Sequence, residues 1–112
     1  MTLVDISGLQ DLIRDFSEKR NWVSYHTPKN LAMALSGEVG ELAAVIQWLD
    51  GPEAASAIAP DGALRQDFAD EMADVMIYLA RLADVAGIDL NQAVTDKMGR
   101  NEQRFRPGDP VV

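Results

Sequence analysis

Apolar residues recur at alternating steps of three and four along most of this chain, which is the spacing of one face of an α-helix. The pattern predicts a first helix that begins near Ser7, where Ser7 and Gln10 have the spacing of a capping box. A second helix is predicted from Pro28 to about Leu49, with Thr27 as its N-cap and proline at the first helical position. The tripeptide Asp50-Gly51-Pro52 is expected to end this helix.

The second half of the chain predicts two more helices. One covers roughly residues 63–86 and stops at Gly87, and the other begins after a cap at Asp89. Residues 51–62 carry two prolines and two glycines without a clear period, which indicates a loop with at most one helical turn. Residues 107–112 are predicted to be a frayed, flexible tail. With no strand pattern anywhere, the fold class is all-α, a four-helix bundle.

Acidic residues interrupt the apolar seams of the two longest predicted helices. In the second helix, Glu38 takes a seam position and Glu41 lies one turn further along the same side. In the third, Glu71 takes a seam position and Asp74 follows three residues later on the same face. If the two helices pack antiparallel, these residues form a box of four carboxylates. A hard divalent cation between them, Mg²⁺ or Mn²⁺, would replace the repulsion among the carboxylates with attraction to the cation.

Other interpretations of these acids are weaker. Glutamates three apart are common on solvated helix faces, but two pairs set into apolar seams favour a site. Asp67 and Asp70 fall outside the seam and are expected at the surface. The pattern does not match a di-iron site. Di-iron sites in helical bundles use Glu-x-x-His pairs, whereas the only histidine of this chain, His26, is predicted to lie in a loop.

Composition narrows the function class further. The 112 residues are the size of one domain, so we treat residues 1–112 as a single unit. A net charge of −8 argues against binding the nucleic-acid backbone, although a cation could still link an acidic site to a small phosphorylated ligand. The absence of cysteine excludes disulfides and cysteine-based zinc sites. The sequence shows no signal peptide and no membrane-spanning stretch, so we expect a cytoplasmic protein.

Carboxylate-held Mg²⁺ commonly handles polyphosphate, and two sets of neighbouring residues suit a nucleotide. Cationic and amide side chains on the fourth helix could approach phosphates, although cations near a helix C-terminus also favour its dipole. Aromatic side chains could stack on a base, although Trp22 and Trp48 could equally fill the ends of the core. The candidates are Lys97, Arg100, Asn101 and Arg104 in the first set, and Trp22, Tyr25, His26 and Trp48 in the second.

Three segments carry a family resemblance: HTPKNLAMALSGEVGELAAVIQW, DEMADVMIYLARLAD and GIDLNQAVTDKMGRNEQRF. They resemble the MazG-like nucleotide pyrophosphohydrolases, nearest the dCTP pyrophosphatase branch, from about Arg20 to Pro107. The resemblance implies an all-α, Mg²⁺-dependent enzyme that cleaves nucleoside triphosphates to monophosphate and pyrophosphate. It also implies a homodimer or a homotetramer.

Carried over by position, the resemblance assigns site residues. It implies that the metal ligands and catalytic acids are Glu38, Glu41, Glu71 and Asp74. It implies that Trp22 and Trp48 contact the base of the substrate. It implies that the sugar and phosphates are bound by Tyr78, Lys97 and Asn101, with Arg104 a weaker candidate. His26 belongs to the matching segment and is a further substrate-binding candidate without an assigned role. Many relatives have a second glutamate where this chain has Gly37. The base that activates the attacking water therefore stays open between the cation and a ligand such as Glu41.

The sequence leaves three functional hypotheses. The first is a house-cleaning pyrophosphohydrolase that attacks the α-phosphate of dCTP or a modified pyrimidine dNTP. The second is the same enzyme acting on dUTP or an oxidised purine nucleotide, because stacking tolerates every base. The third is a non-catalytic helical interaction module or antitoxin-like module. The number of metal ions, the choice between dimer and tetramer, and the sharing of a pocket between subunits stay open as well.

Overall fold

The computed structural model describes residues 2–110, and all regular structure in this range is helical. This confirms the all-α prediction, although the range contains five α-helices rather than four. A short 3₁₀ turn, Val23–Tyr25, lies between the first two. The helices are α1 (Ser7–Lys19), α2 (Pro28–Ile46), α3 (Gly51–Ile58), α4 (Arg65–Ala86) and α5 (Leu90–Arg104).

Three helix ends have the chemistry that the sequence predicts. The Thr27 hydroxyl accepts a hydrogen bond from the Asn30 N–H at 3.1 Å at the start of α2. The Asp89 carboxylate accepts from the Gln92 N–H in the same way at the start of α5. Gly87 ends α4 with a φ of 67°, a left-handed conformation that costs glycine little.

Two local predictions are wrong. Helix α1 begins at Ser7, as predicted, but its N-cap residue is Ile6, and the Ser7 N–H and hydroxyl donate to the Asp5 carboxylate instead of capping the helix. The segment predicted as a loop contains α3, whose N-cap is Asp50, with the Asp50 carboxylate accepting from the Glu53 N–H at 2.8 Å. Asp-Gly-Pro was interpreted as the end of α2, but aspartate before a first-turn proline also starts a helix.

The core forms where α1, α2 and α4 meet. Leu31 of α2 is 2% exposed, and Ala80 and Ala83 of α4 are buried. The Gln10 side chain fastens α1 to α4 by donating to the Ala80 carbonyl at 3.0 Å. Ile13, 9% exposed, completes this core from α1.

Helices α2 and α4 form the main packed pair and run antiparallel. Leu31, near the start of α2, borders the same cavity as Arg81, near the end of α4. Glu38, further along α2, lies close to Glu71 and Asp74, which come earlier in α4. The seam positions Glu38 and Glu71 therefore meet across this pair, as the sequence predicts.

Helix α5 stands apart from that pair, with no extensive packing on another helix within the described residues. The Asn91 side chain ties its first turn to the N-terminal segment by accepting from the N–H groups of Leu3 and Val4. Beyond α5, residues 106–109 form a hydrogen-bonded turn. Residues 111 and 112 of the predicted tail lie outside the described range. None of the helices in residues 2–110 is long and apolar enough to cross a membrane.

Candidate functional site

Three carboxylates converge midway along the α2–α4 pair. Glu38 projects from α2, while Glu71 and Asp74 project from α4 one turn apart. One carboxylate oxygen from each lies within 4.8 Å of the other two. All three residues are half-buried. We call Glu38, Glu71 and Asp74 the acidic cluster.

Two oxygens of the acidic cluster are buried and unpaired. Glu38 Oε2 and Glu71 Oε2 are shielded from solvent and have no hydrogen-bond partner. Burial raises the pKa of both side chains above the ordinary carboxyl value, and repulsion from Glu41 and Asp74 raises it further. Buried carboxylate oxygens without partners are costly, and oxygen-only ligands suit Mg²⁺ or Mn²⁺. The acidic cluster therefore fits a divalent cation.

Glu41 lies at the rim of the acidic cluster. It is exposed and is not among the three carboxylates whose oxygens all lie within 4.8 Å of one another, but its carboxyl group is close enough to Glu38 and Glu71 for both its charge and its hydrogen bonding to raise their pKa. The four acids of the predicted box are therefore neighbours, with Glu41 on the solvent side. Asp67 and Asp70 are exposed, as predicted.

A small cavity next to the core brings together three of the predicted substrate-binding residues. Trp22, His26 and Tyr78 line it, together with Phe16 and Arg81, around a volume of about 100 Å³. We call it the aromatic cavity. Leu31 also lines it, which places the cavity between the start of α2, the end of α4 and the loop after α1.

Local backbone chemistry sets the position of Trp22. Asn21, two residues beyond the end of α1, has a φ of 57°, a left-handed conformation that asparagine tolerates better than most residues. The Trp22 N–H then donates to the Ser17 carbonyl at 3.0 Å, which turns the chain back over α1. The indole ring meets the Phe16 ring edge-on, with 5.5 Å between centroids.

The remaining predicted residues are not brought to either place. Trp48 follows the end of α2, is 88% exposed and does not line the aromatic cavity, so it does not fill the core. Lys97 is exposed on α5 beside a shallow apolar groove that Arg100 also borders. Asn101 is half-buried, and the Arg104 guanidinium lies 5.0 Å from the centre of the Phe105 ring.

Sequence reasoning missed a charged network beneath the aromatic cavity. Arg81 is 5% exposed, and its guanidinium donates to His26 and to Asp84. Asp84 also accepts two hydrogen bonds from Arg14 of α1. The sequence did contain a signal for this network. Arg81 and Asp84 have opposite charges three residues apart, and Arg81 follows Asp74 and Tyr78 at the spacing of one helix face.

Comparison with known proteins decides the family. A family model for the MazG nucleotide pyrophosphohydrolase domain matches residues 26–105. The chain belongs to this family. The matched range includes the acidic cluster, Glu41, His26 and Tyr78, while Trp22 lies before it.

Two comparisons within the MazG family add detail. The dCTP pyrophosphatase 1 proteins of Mus musculus and Homo sapiens are 42% and 41% identical to this chain over 104 and 105 residues. These matches cover 93% of the chain but only 59% of each relative's length. Among solved structures, a pyrophosphatase from Archaeoglobus fulgidus superposes with a TM-score of 0.82 at 40% identity. That superposition covers 89% of this chain and 91% of the other.

Proposed function

We propose that this MazG-family chain is a divalent-metal-dependent nucleoside triphosphate pyrophosphohydrolase, with dCTP or a modified pyrimidine dNTP as its substrate. The observation that carries the proposal is the pair of buried, unpaired oxygens, Glu38 Oε2 and Glu71 Oε2, in a cluster with Asp74. Such a cluster destabilises a purely structural helix pair, and a bound cation removes that cost.

The proposed reaction is hydrolysis of the bond between the α- and β-phosphates. Water attacks the α-phosphorus, the oxygen that bridges to the β-phosphorus leaves, and the products are a dNMP and pyrophosphate. Glu38, Glu71 and Asp74 would hold Mg²⁺, with Mn²⁺ a possible substitute. When bound, the cation would neutralise phosphate oxygens and orient the attacking water.

Glu41 is our candidate for accepting a proton from that water. It is exposed at the rim of the acidic cluster, where a substrate and its water can reach it, and it is not among the three converging carboxylates. Gly37 leaves no side chain to take that role one residue before Glu38.

The aromatic cavity is the proposed site of the base. Trp22 and Tyr78 supply aromatic surface, and His26 supplies a polar group beside it. Its small volume, about 100 Å³, leaves less room for a two-ring purine than for a single-ring base. The dCTP pyrophosphatase 1 relatives carry the same preference in their name.

We propose that the chain acts as a homodimer or homotetramer. Its radius of gyration is 16.9 Å, whereas a compact domain of this length is expected near ~13 Å. Large apolar side chains are also exposed, including Leu12 at 66%, Met33 at 66% and Met98 at 55%. Assembly would cover these surfaces and bring Lys97, Asn101, Arg104 and Trp48 of one copy near the site of another.

The wider role follows from the same reaction. The chain would act as a single domain in the cytoplasm, removing unwanted nucleotides from the pool. No nucleic-acid or membrane partner is required for this activity.

The test is release of pyrophosphate from dCTP by the purified protein with and without Mg²⁺. Glu38→Gln and Glu71→Gln should abolish release, because each removes a charge from the acidic cluster. Asp70→Asn is the matched control, since it removes one charge from an exposed position next to Glu71 and should keep full activity. Intact activity in Glu71→Gln would overturn the proposal.

A further inference from the structure

The buried guanidinium of Arg81 is held from two sides. Its Nη1 donates to Asp84 Oδ2 at 3.2 Å, and its Nε donates to His26 Nδ1 at 3.0 Å. Asp84 is itself fixed by Arg14, whose Nε and Nη2 donate to its two oxygens at 3.1 and 2.7 Å. A paired guanidinium in this setting has one stable orientation.

That orientation decides where His26 carries its proton. A guanidinium has five donors and no acceptor, so the nitrogen it approaches must present a lone pair. His26 Nδ1 is therefore unprotonated, and the proton of the neutral ring lies on Nε2. Burial, and then the positive charge of Arg81, lower the pKa of His26 below its ordinary value, which keeps the ring neutral near pH 7.

The Nε2–H group is available to a ligand. His26 lines the aromatic cavity, and the hydrogen bonds of residues 2–110 give Nε2 no protein partner. The backbone around His26 is fixed, because its N–H donates to the Val23 carbonyl at 3.1 Å. The preceding Tyr25 carbonyl accepts from the Asn30 side chain at 2.9 Å. The ring is thus held in place by both its backbone and Arg81.

We propose that Arg81 is a positioning residue that keeps His26 as the Nε2–H tautomer, so that the aromatic cavity offers one hydrogen-bond donor to an acceptor atom of a single-ring base. The ligand atom would be a ring carbonyl oxygen or an unprotonated ring nitrogen, both of which cytosine carries on one edge. The assignment of this ligand rests on the proposed function, whereas the tautomer itself does not.

The tautomer can be measured directly, because His26 is the only histidine of the chain. A long-range proton–nitrogen NMR spectrum should show one imidazole with a bare Nδ1 and a protonated Nε2. In Arg81→Met, which keeps the length but removes every donor, the tautomers should mix and the pKa of His26 should rise towards its ordinary value. The groups that face His26 in this titration are Arg81, Tyr78 across the cavity, and Asp84 through Arg81.

Two further variants separate positioning from stability. Arg14→Gln weakens the same Asp84 network without touching His26, so it should leave the imidazole spectrum unchanged. Arg81→Leu also removes every donor and serves if Arg81→Met does not fold. A wild-type ring protonated on Nδ1, a wild-type mixture of tautomers, or an unchanged spectrum in a folded Arg81 variant would overturn the proposal.

The role of His26 in binding the base is tested with dCMP and dCTP. In the wild type, dCMP should shift the Nε2–H signal, and Arg81→Met should raise KM for dCTP roughly three- to tenfold with little change in kcat, as expected for the loss of one hydrogen bond. A similar KM change in Arg14→Gln, or no response of the Nε2–H signal to dCMP, would overturn the role at the base. If the wild type hydrolyses no nucleotide, the proposed function fails, while the NMR spectra still decide the role of Arg81.

Discussion

Replacing Glu71 by glutamine should have opposite effects on stability with and without metal. Burial first, and then Glu41 and Asp74, raise the pKa of Glu71, so its ionised form is disfavoured in the metal-free protein. Glutamine keeps the shape and removes the charge. The metal-free Glu71→Gln variant should therefore melt at or above the wild-type temperature, which is unusual for a change at a half-buried position.

The gain on adding Mg²⁺ can be worked out from linkage. A ligand that binds only the folded state adds about 2.7 kcal/mol at a concentration 100 times its Kd. For a chain of 112 residues, a melting entropy of about 2.1 cal/mol/K per residue corresponds to about 4 °C per kcal/mol. Saturating Mg²⁺ should thus raise the wild-type melting temperature by about 11 °C, and that rise should vanish in Glu71→Gln.

The assay is thermal unfolding followed by circular dichroism, after chelation, across a Mg²⁺ titration. Asp70→Asn is the control, because Asp70 is exposed and accepts a hydrogen bond from the Gln66 side chain, so this variant should keep the full response. A Glu71→Gln variant that keeps the wild-type shift would refute a metal centre at the acidic cluster. So would an Asp70→Asn variant that loses it.

Three further outcomes test the fold and its electrostatics. Because the folded pKa values of Glu38 and Glu71 are raised, the contribution of these two groups to metal-free stability is full below the ordinary carboxyl pKa and is lost as pH rises through the folded values. The urea midpoint of the wild type should therefore fall with rising pH relative to that of a Glu38→Gln/Glu71→Gln double variant, and the same pH dependence in both proteins would contradict this. Leu31→Ala should cost about 2–5 kcal/mol in urea unfolding, since Leu31 is 2% exposed, and a loss below about 1 kcal/mol would place it outside the core. Gly87→Ala should cost about 1–2 kcal/mol by the same measurement, because φ is 67° while the space for a Cβ is open, and a neutral result would show that the backbone relaxes there.

The sequence predicted the features that depend on local chemistry. Thr27 and Asp89 cap helices in the structure because their hydroxyl and carboxylate need only the N–H group three residues later. Glu38 and Glu71 come together because both occupy seam positions, and seams of neighbouring helices must face each other.

The features that depend on distant residues were not predictable in this way. His26 and Arg81 are 55 positions apart, and nothing in the spacing of either segment shows that they meet. Glu41 has the right spacing from Glu38, yet that spacing does not show that it is the most exposed of the four acids. Asp50 was assigned to the end of one helix because the same three residues also suit the start of the next.

Hydrolysis in ¹⁸O-labelled water tests the central claim most directly. The purified protein would be incubated with Mg²⁺ and, in separate reactions, each common and modified dNTP. The products would be separated and their masses determined by mass spectrometry. We predict pyrophosphate and one dNMP far ahead of the rest, dCMP or a modified pyrimidine monophosphate, with ¹⁸O in the monophosphate. Label in pyrophosphate or release of orthophosphate would contradict attack at the α-phosphorus. No product from any nucleotide, with Mn²⁺ substituted as well, would contradict the enzyme and favour a non-catalytic helical module.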